Sequence, residues 1–384
     1  MIKLGLTVLL EYRLDLIEGR NIGLITNSTG VNESLQDNIS LLVDNPKAKL
    51  KAIFSPEHGL WGSVQDAISI PFAQYDQIKI PIYSLYGKTT KPTSEMLDGI
   101  DALIFDIQDV GVRFYTYIST MAMAMQACAE NGVDFIVLDR PNPVNGNILE
   151  GNVLDPDFSS FVGYLPILLR HGMTVGELVR LFNEHFQIGV KLSIVAMEGW
   201  KRDMWFEDTG LAWIMPSPNM PTLDTATVYP GMCLFEGTNV SEGRGTTKPF
   251  EIIGAPWIDA HKLADSLNNL SLSGTKFRPV YFIPTFSKYK DQRCGGVQVH
   301  VIDRDKFTPV KIALNIIETI MRKYPDNFQW IGNNRPFFDL LMGTDKVRND
   351  LSKGRSVDDI ILSWKDETSD FANIRSKYLL YCNR

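Results

Sequence analysis

Carboxylates, amides and an imidazole recur just after short apolar runs in the first part of this chain. They fall at Thr26-Asn27-Ser28-Thr29-Gly30, Ser55-Pro56-Glu57-His58-Gly59, Asp106-Ile107-Gln108-Asp109 and Asp139-Arg140-Pro141-Asn142. Such groups, with Trp61, Tyr115 and Tyr117 close by in sequence, suit a polyhydroxylated ligand, because sugars need many directional hydrogen bonds and an apolar platform. Breaking a glycosidic bond further needs a carboxylic acid kept protonated by a dry setting. Glu57 fits that role best, since it follows an apolar run and Gly59-Leu60-Trp61-Gly62 supplies a tight turn and an apolar ring. Plainer readings stand beside this one. Glu57 could pair with an arginine or cap a helix, His58 could be a hydrogen-bonded structural histidine, Asp109 and Arg113 could be an ion pair, and Asp139–Asn142 could be only a turn.

A second cluster runs from Glu236 to Thr247, EGTNVSEGRGTT. Glu236, Glu242 and Arg244 on a glycine-rich loop could bind anions or carry acid and base roles, because glycines let backbone amides approach a ligand. A long loop held by Asn and Thr hydrogen bonds would give the same pattern. Several chemistries lack their signatures. The chain has no G-x-x-x-x-G-K-[ST], no G-x-G-x-x-G after a strand, no G-x-S-x-G and no H-E-x-x-H. His58, Asp109 and His171 are too scattered to support a metal site, and neither a metal nor a cofactor is expected.

The elements that must position these residues follow from periodicity. Short apolar runs alternate with segments of helical period over the first two hundred or so residues, the pattern of βα units and a largely parallel sheet. Strands are expected over residues 21–26, 50–55, 80–85, 102–108, 134–138 and 191–196, with helices over 117–130 and 175–186. Thr174 and Glu177 fit a capping box at the start of the latter. In an open parallel sheet the loops at the carboxyl ends of the strands converge on the ligand, which would bring the polar strings above onto one rim. From 213 to 257, Pro, Gly, Thr and Asn predominate and loops are expected. Beyond lie a helix over 261–270, strands over 280–284 and 296–302, and a helix over 309–324 with Thr308 as its cap and Pro309 in its first turn. The fold class is α/β, an N-terminal domain with a largely parallel sheet followed by a smaller α+β C-terminal domain, over residues 1–228 and 229–384.

Bulk properties agree with a globular protein. At 384 residues the chain exceeds the usual size of one core, and 44% hydrophobic with 22% charged residues is ordinary. A net charge of −7 without a basic run argues against nucleic acid, and no apolar run reaches the ~20 residues of a membrane helix. Cys128, Cys233, Cys294 and Cys382 are far apart and are expected as buried free thiols. The N-terminus shows no signal-peptide pattern.

Longer strings are more specific. GLITNSTGVN, FSPEHGLWG, DIQDVGVRFYTYISTM, LDRPNPVNG, RHGMTVGELVRLFNEHF, PSPNMPTLDTATVYPG and FEGTNVSEGRGTTKPFEIIGAPWID run in order from Gly23 to Asp259, and GVQVHVIDR follows near Gly296. In these strings the chain resembles the exo-β-N-acetylmuramidases, formerly a family of unknown function. The resemblance implies a Rossmann-like N-terminal domain joined to a smaller C-terminal one, with the active site in the cleft between them. It implies removal of N-acetylmuramic acid from the non-reducing end of peptidoglycan fragments, and an extracytoplasmic setting. The glutamate of its PEHG motif is Glu57, expected as general acid. His58 is expected to orient it, and Asp109, Asp139 or Glu242 to be the second carboxylate, unless the sugar's own acetamido group takes that part. Asn27, Arg113, Tyr117, Asp139, Arg140, Asn142, Asn219, Glu236, Glu242 and Arg244 are expected to bind substrate, the three arginines as candidates for its lactyl carboxylate. A glycan-binding protein without activity and a metal-dependent hydrolase of the same ligand are the alternatives. Oligomeric state is not legible.

Overall fold

A computed structural model describes residues 2–62, 73–75, 79–332 and 334–383. Its main sheet contains β1 (Asn21–Thr26), β2 (Lys49–Ser55), β3 (Ala73–Tyr75), β4 (Ile80–Ser84), β5 (Ala102–Asp106) and β6 (Asp134–Leu138). β7 (Glu150–Val153) and β8 (Leu168–Arg170) form a separate pair, and β9 (Leu192–Val195) returns to the main sheet. The order across that sheet is β3-β4-β2-β1-β5-β6-β9, with every neighbouring pair parallel except β3 with β4. Leaving β3 aside, the strands lie third, second, first, fourth, fifth, sixth in chain order, the Rossmann-like doubly wound arrangement. Its switch point falls between β1 and β5. Strands such as ALIFD are buried along their whole length, because helices cover both faces of the sheet.

The helix Val175–Glu184 starts with the expected capping box, Thr174 and Glu177 each serving the other's backbone amide. Tyr117–Asn131 forms the long helix after β5. The stretch expected to be loop is only partly so. It holds the helix Leu223–Met232, a 3-10 turn Cys233–Gly237 and β10 (Ile252–Ala255). Pro230, which forfeits one backbone hydrogen bond, hid that helix from pattern reading; it falls in the helix's last turn. Gly231 beside it has a packing reason: a Cβ there would come 1.9 Å from the Pro309 carbonyl oxygen of the helix Pro309–Lys323.

A three-stranded antiparallel sheet, in the order β10, β12 (Cys294–Val301), β11 (Thr275–Phe282), completes the second half. β11 begins earlier than the apolar pattern suggested, because exposed Lys276 and Arg278 alternate with buried Thr275 and Phe277 on an edge strand. Thr308 precedes Pro309 as expected, but its hydroxyl makes no capping bond. One cluster of buried apolar side chains runs from Ile25, Phe105 and Phe135 through Met232 and Ile316 to Phe371, so the two halves share a core. The chain end folds back onto the parallel sheet: Leu380 N donates to Glu177 at 2.9 Å and the Tyr381 hydroxyl donates to Asp139. Cys128, Cys233 and Cys294 are buried free thiols, whereas Cys382, on that returning tail, is exposed. No helix among the described residues is long and apolar enough to cross a membrane.

Candidate active site

A cavity of about 280 Å³ opens beyond the carboxyl ends of the parallel strands. Glu57 and His58 enter it from the turn after β2, Tyr115 and Thr116 from the loop after β5, and Ser217 and Asn219 from the segment before helix Leu223–Met232. Tyr229, Glu236, Arg244, Phe250 and Phe337 supply the opposite wall from the second half. Two larger hollows, of about 610 and 860 Å³, contain none of the groups at the carboxyl ends of the parallel strands.

The turn after β2 is sharply wound. Gly59 N donates to Pro56 O at 3.1 Å, and His58 and Gly59 hold φ of 70° and 76° in succession. Glycine adopts that region freely, but histidine does so at a cost of about 1 kcal/mol or more, a strain that clusters at working sites. Buried His58 and half-buried Glu57 are thereby both presented to the cavity. Thr116 stands at the N-cap of helix Tyr117–Asn131 without capping it; its hydroxyl donates instead to Glu57 Oε2 at 2.8 Å. The carboxylate therefore also lies near the positive end of a fifteen-residue helix.

On the far wall Arg244 pairs with Glu236 at 2.6 Å and with Glu242 at 3.5 Å. Glu242 is itself buried, held by Lys288 at 2.9 Å, and stands behind the wall. Lys288 also donates to the carbonyls of Phe235 and Val240, pinning the glycine-rich loop. Edge-to-face contacts of Tyr229 with Tyr115 and Phe250, at 5.7 and 4.7 Å between ring centres, make an aromatic side to the cavity. Among the described lining residues the carboxylates are Glu57 and Glu236, and the guanidinium is that of Arg244.

The structure thus brings together Glu57, His58, Asn219, Glu236 and Arg244 and places the other expected residues elsewhere. Arg113 is buried and donates to the carbonyls of Asn152, Ile167, Leu341 and Met342, so it joins segments rather than facing Asp109 or a ligand. Arg140 pairs with Asp106 at 2.6 Å and reaches the Val31 carbonyl. Asp139 accepts from Thr174, Gly176 and Tyr381, and burial still pushes its carboxyl up to about 7. Asn142 donates to Met173 O on a distant segment and accepts from Val144 N within its own turn. Asn27 accepts from the amide and hydroxyl of Thr29, and Tyr117 donates to Pro216 O; both are buried outside the cavity lining.

Asp109 is also behind the wall. Its Oδ2 accepts from Gly111 N at 2.7 Å and lies 4.0 Å from His171 Nε2. Burial raises the Asp109 carboxyl to about 7 and lowers His171 to about 3, so both groups are driven toward their neutral forms and the contact is not an ion pair. The described residues include no group of three His, Cys, Asp or Glu arranged to hold a metal.

Sequence reasoning missed Thr116, Tyr86, Phe161, Ser217, Tyr229, Phe250 and Phe337 as wall residues. Thr116 and Ser217 lie inside strings already marked as informative, between Tyr115 and Tyr117 and beside Asn219. Phe161 comes from a distant turn and Phe337 from the start of the distant helix Phe337–Met342, with no local signal.

Fold and cavity together define an α/β protein of Rossmann-like build whose carboxylate-bearing, aromatic-walled pocket suits a saccharide. The chain belongs to the exo-β-N-acetylmuramidase NamZ family, whose N-terminal model matches residues 22–224 and whose C-terminal model matches 227–381. It is 51% identical over 375 residues to the peptidoglycan β-N-acetylmuramidase NamZ of Bacillus subtilis, covering 98% of this chain and 90% of that one. Two solved DUF1343 family proteins from Bacteroides fragilis share the fold. One has a TM-score of 0.93 at 40% identity, covering 99% of both chains. The other has 0.80 at 31%, covering the whole of both.

Proposed function

We propose that this protein is an exo-acting glycoside hydrolase that releases N-acetylmuramic acid from the non-reducing end of peptidoglycan fragments, with Glu57 as its general acid. The observation that carries the assignment is the hydrogen bond of Thr116 to Glu57 Oε2 on the cavity wall. With Oε2 engaged as an acceptor, Oε1 is the oxygen that delivers a proton to the glycosidic oxygen. The bond from that oxygen to C1 then breaks, the aglycone leaves as an alcohol, and water adds to C1, its released proton restoring the Glu57 carboxyl by the end of the cycle. Glu236, the other carboxylate on the described wall, offsets the positive charge that develops on the sugar ring.

Arg244 is the guanidinium within reach of the lactyl carboxylate that distinguishes muramic acid from glucosamine. Buried Tyr229, Cys233 and Phe250 on the wall support exo action, because a glycan continuing past the non-reducing sugar would have to enter packed core. The site is proposed to lie between a parallel-sheet domain and a C-terminal domain that meet near residue 228. Incubation with the disaccharide of N-acetylmuramic acid β-1,4-linked to N-acetylglucosamine, beside chitobiose, tests the reading. Release of both monosaccharides from the first alone is expected; saturable binding without release would make the protein a glycan binder.

A further inference from the structure

A pocket of this size takes one sugar residue, so the sugar on the other side of the scissile bond must rest outside it, beside the acid. We infer that the exposed indole of Trp61, together with Met215, forms the platform for that leaving sugar. The inference rests on the proposed glycosidase activity and concerns the half of the substrate which the cavity does not enclose.

Trp61 is 62% exposed and Met215 49%, two of the large apolar side chains that reach solvent. Each is tied by backbone to the cavity. Trp61 follows Glu57 by four residues on the same tight turn, closed by Gly62 N donating to Gly59 O at 3.3 Å. Met215 precedes Ser217 and Asn219 of the wall by two and four residues. Ser28, just beyond β1, joins the two segments. Its hydroxyl donates to Met215 O at 3.4 Å, and it lies against Gly62, where a Cβ would come 3.0 Å from Ser28 Oγ.

The turn that carries the acid thus also carries an exposed aromatic ring. A proton donor must sit next to the glycosidic oxygen, and the leaving pyranose continues from that oxygen. The axial C–H groups of a pyranose pack on an indole face, while its hydroxyls stay in water.

Steady-state kinetics on the muramyl-glucosamine disaccharide, with free N-acetylmuramic acid and free N-acetylglucosamine as inhibitors, provide the test. Trp61→Ala is expected to raise KM about five- to tenfold and to weaken inhibition by N-acetylglucosamine to the same extent. Inhibition by N-acetylmuramic acid, bound inside the cavity, should stay as in the unaltered protein. Trp61→Phe should restore KM to within roughly twofold. An unchanged KM in Trp61→Ala overturns the platform while leaving the activity intact. Equal loss of both inhibitors overturns it too, since that would show a disturbed turn. If the unaltered protein releases nothing from the disaccharide, the glycosidase reading and the platform fall together.

Discussion

The Thr116 hydroxyl donates to Glu57 Oε2 across 2.8 Å, from a helix N-cap position where it would ordinarily serve its own helix. A residue on the β5 side of the sheet thereby fixes the rotamer of an acid on the β2 side. Glu57 gains negative charge as it gives up its proton, and hydrogen bonds to charged groups contribute about 1.5–3 kcal/mol. Thr116→Val should therefore lower kcat on the disaccharide by roughly ten- to a hundredfold with KM little changed, and Thr116→Ser should recover most of it. A Val variant with full kcat would remove Thr116 from the catalytic arrangement.

Glu57→Gln should cost about a thousandfold in kcat on the disaccharide, whose alcohol leaving group needs a proton. The loss on 4-nitrophenyl β-N-acetylmuramide should be far smaller, because nitrophenolate departs without one. Equal losses on the two substrates would assign Glu57 to binding or folding instead of proton donation.

Arg244 holds two carboxylates of its own, so its replacement must preserve charge. Arg244→Lys keeps the charge and loses the planar fork. The expected outcome is a rise of about tenfold in KM for the disaccharide and in the inhibition constant of N-acetylmuramic acid, with inhibition by N-acetylglucosamine unchanged. A uniform decline for both sugars would show that Arg244 only organises the loop.

Asp109 gives a prediction in pH. Its carboxyl is raised to about 7 by burial, against about 4 in an unfolded chain. The folded state thus binds the proton more tightly, and the contribution of Asp109 to stability is greatest below about pH 4 and is lost as pH rises to about 7. Asp109→Asn lacks this loss. Its stability relative to the unaltered protein should improve across that window by on the order of 1 kcal/mol per pH unit. His171, lowered to about 3, has the opposite dependence but is common to both proteins. Since Asp109 stands behind the wall, the Asn variant should keep most of its activity. Denaturant curves that stay parallel from pH 4 to 7 would contradict the raised value.

Much of this protein is legible without coordinates. The βα alternation dictates the parallel sheet, because largely apolar strands of five or six residues can be buried only with helices on both faces. Capping chemistry announces the helix Val175–Glu184. Glu57 and His58 are marked by their place just past a strand, since the carboxyl ends of parallel strands are where loops converge.

What the sequence could not separate was two kinds of polar residue on that same rim. Asp139, Arg140, Asn142 and Arg113 have the types and spacing of ligand contacts, but they satisfy backbone amides, carbonyls and one another in the interior. A buried polar group must find partners, and whether those are protein or ligand depends on segments far away in the chain, such as Tyr381 against Asp139 or Met342 against Arg113. The far wall was legible only in part. Glu236 and Arg244 are marked by their glycine-rich loop, but Tyr229 and Phe337 face Glu57 only because the two halves share one core, and contacts of such long sequence separation leave no periodic trace.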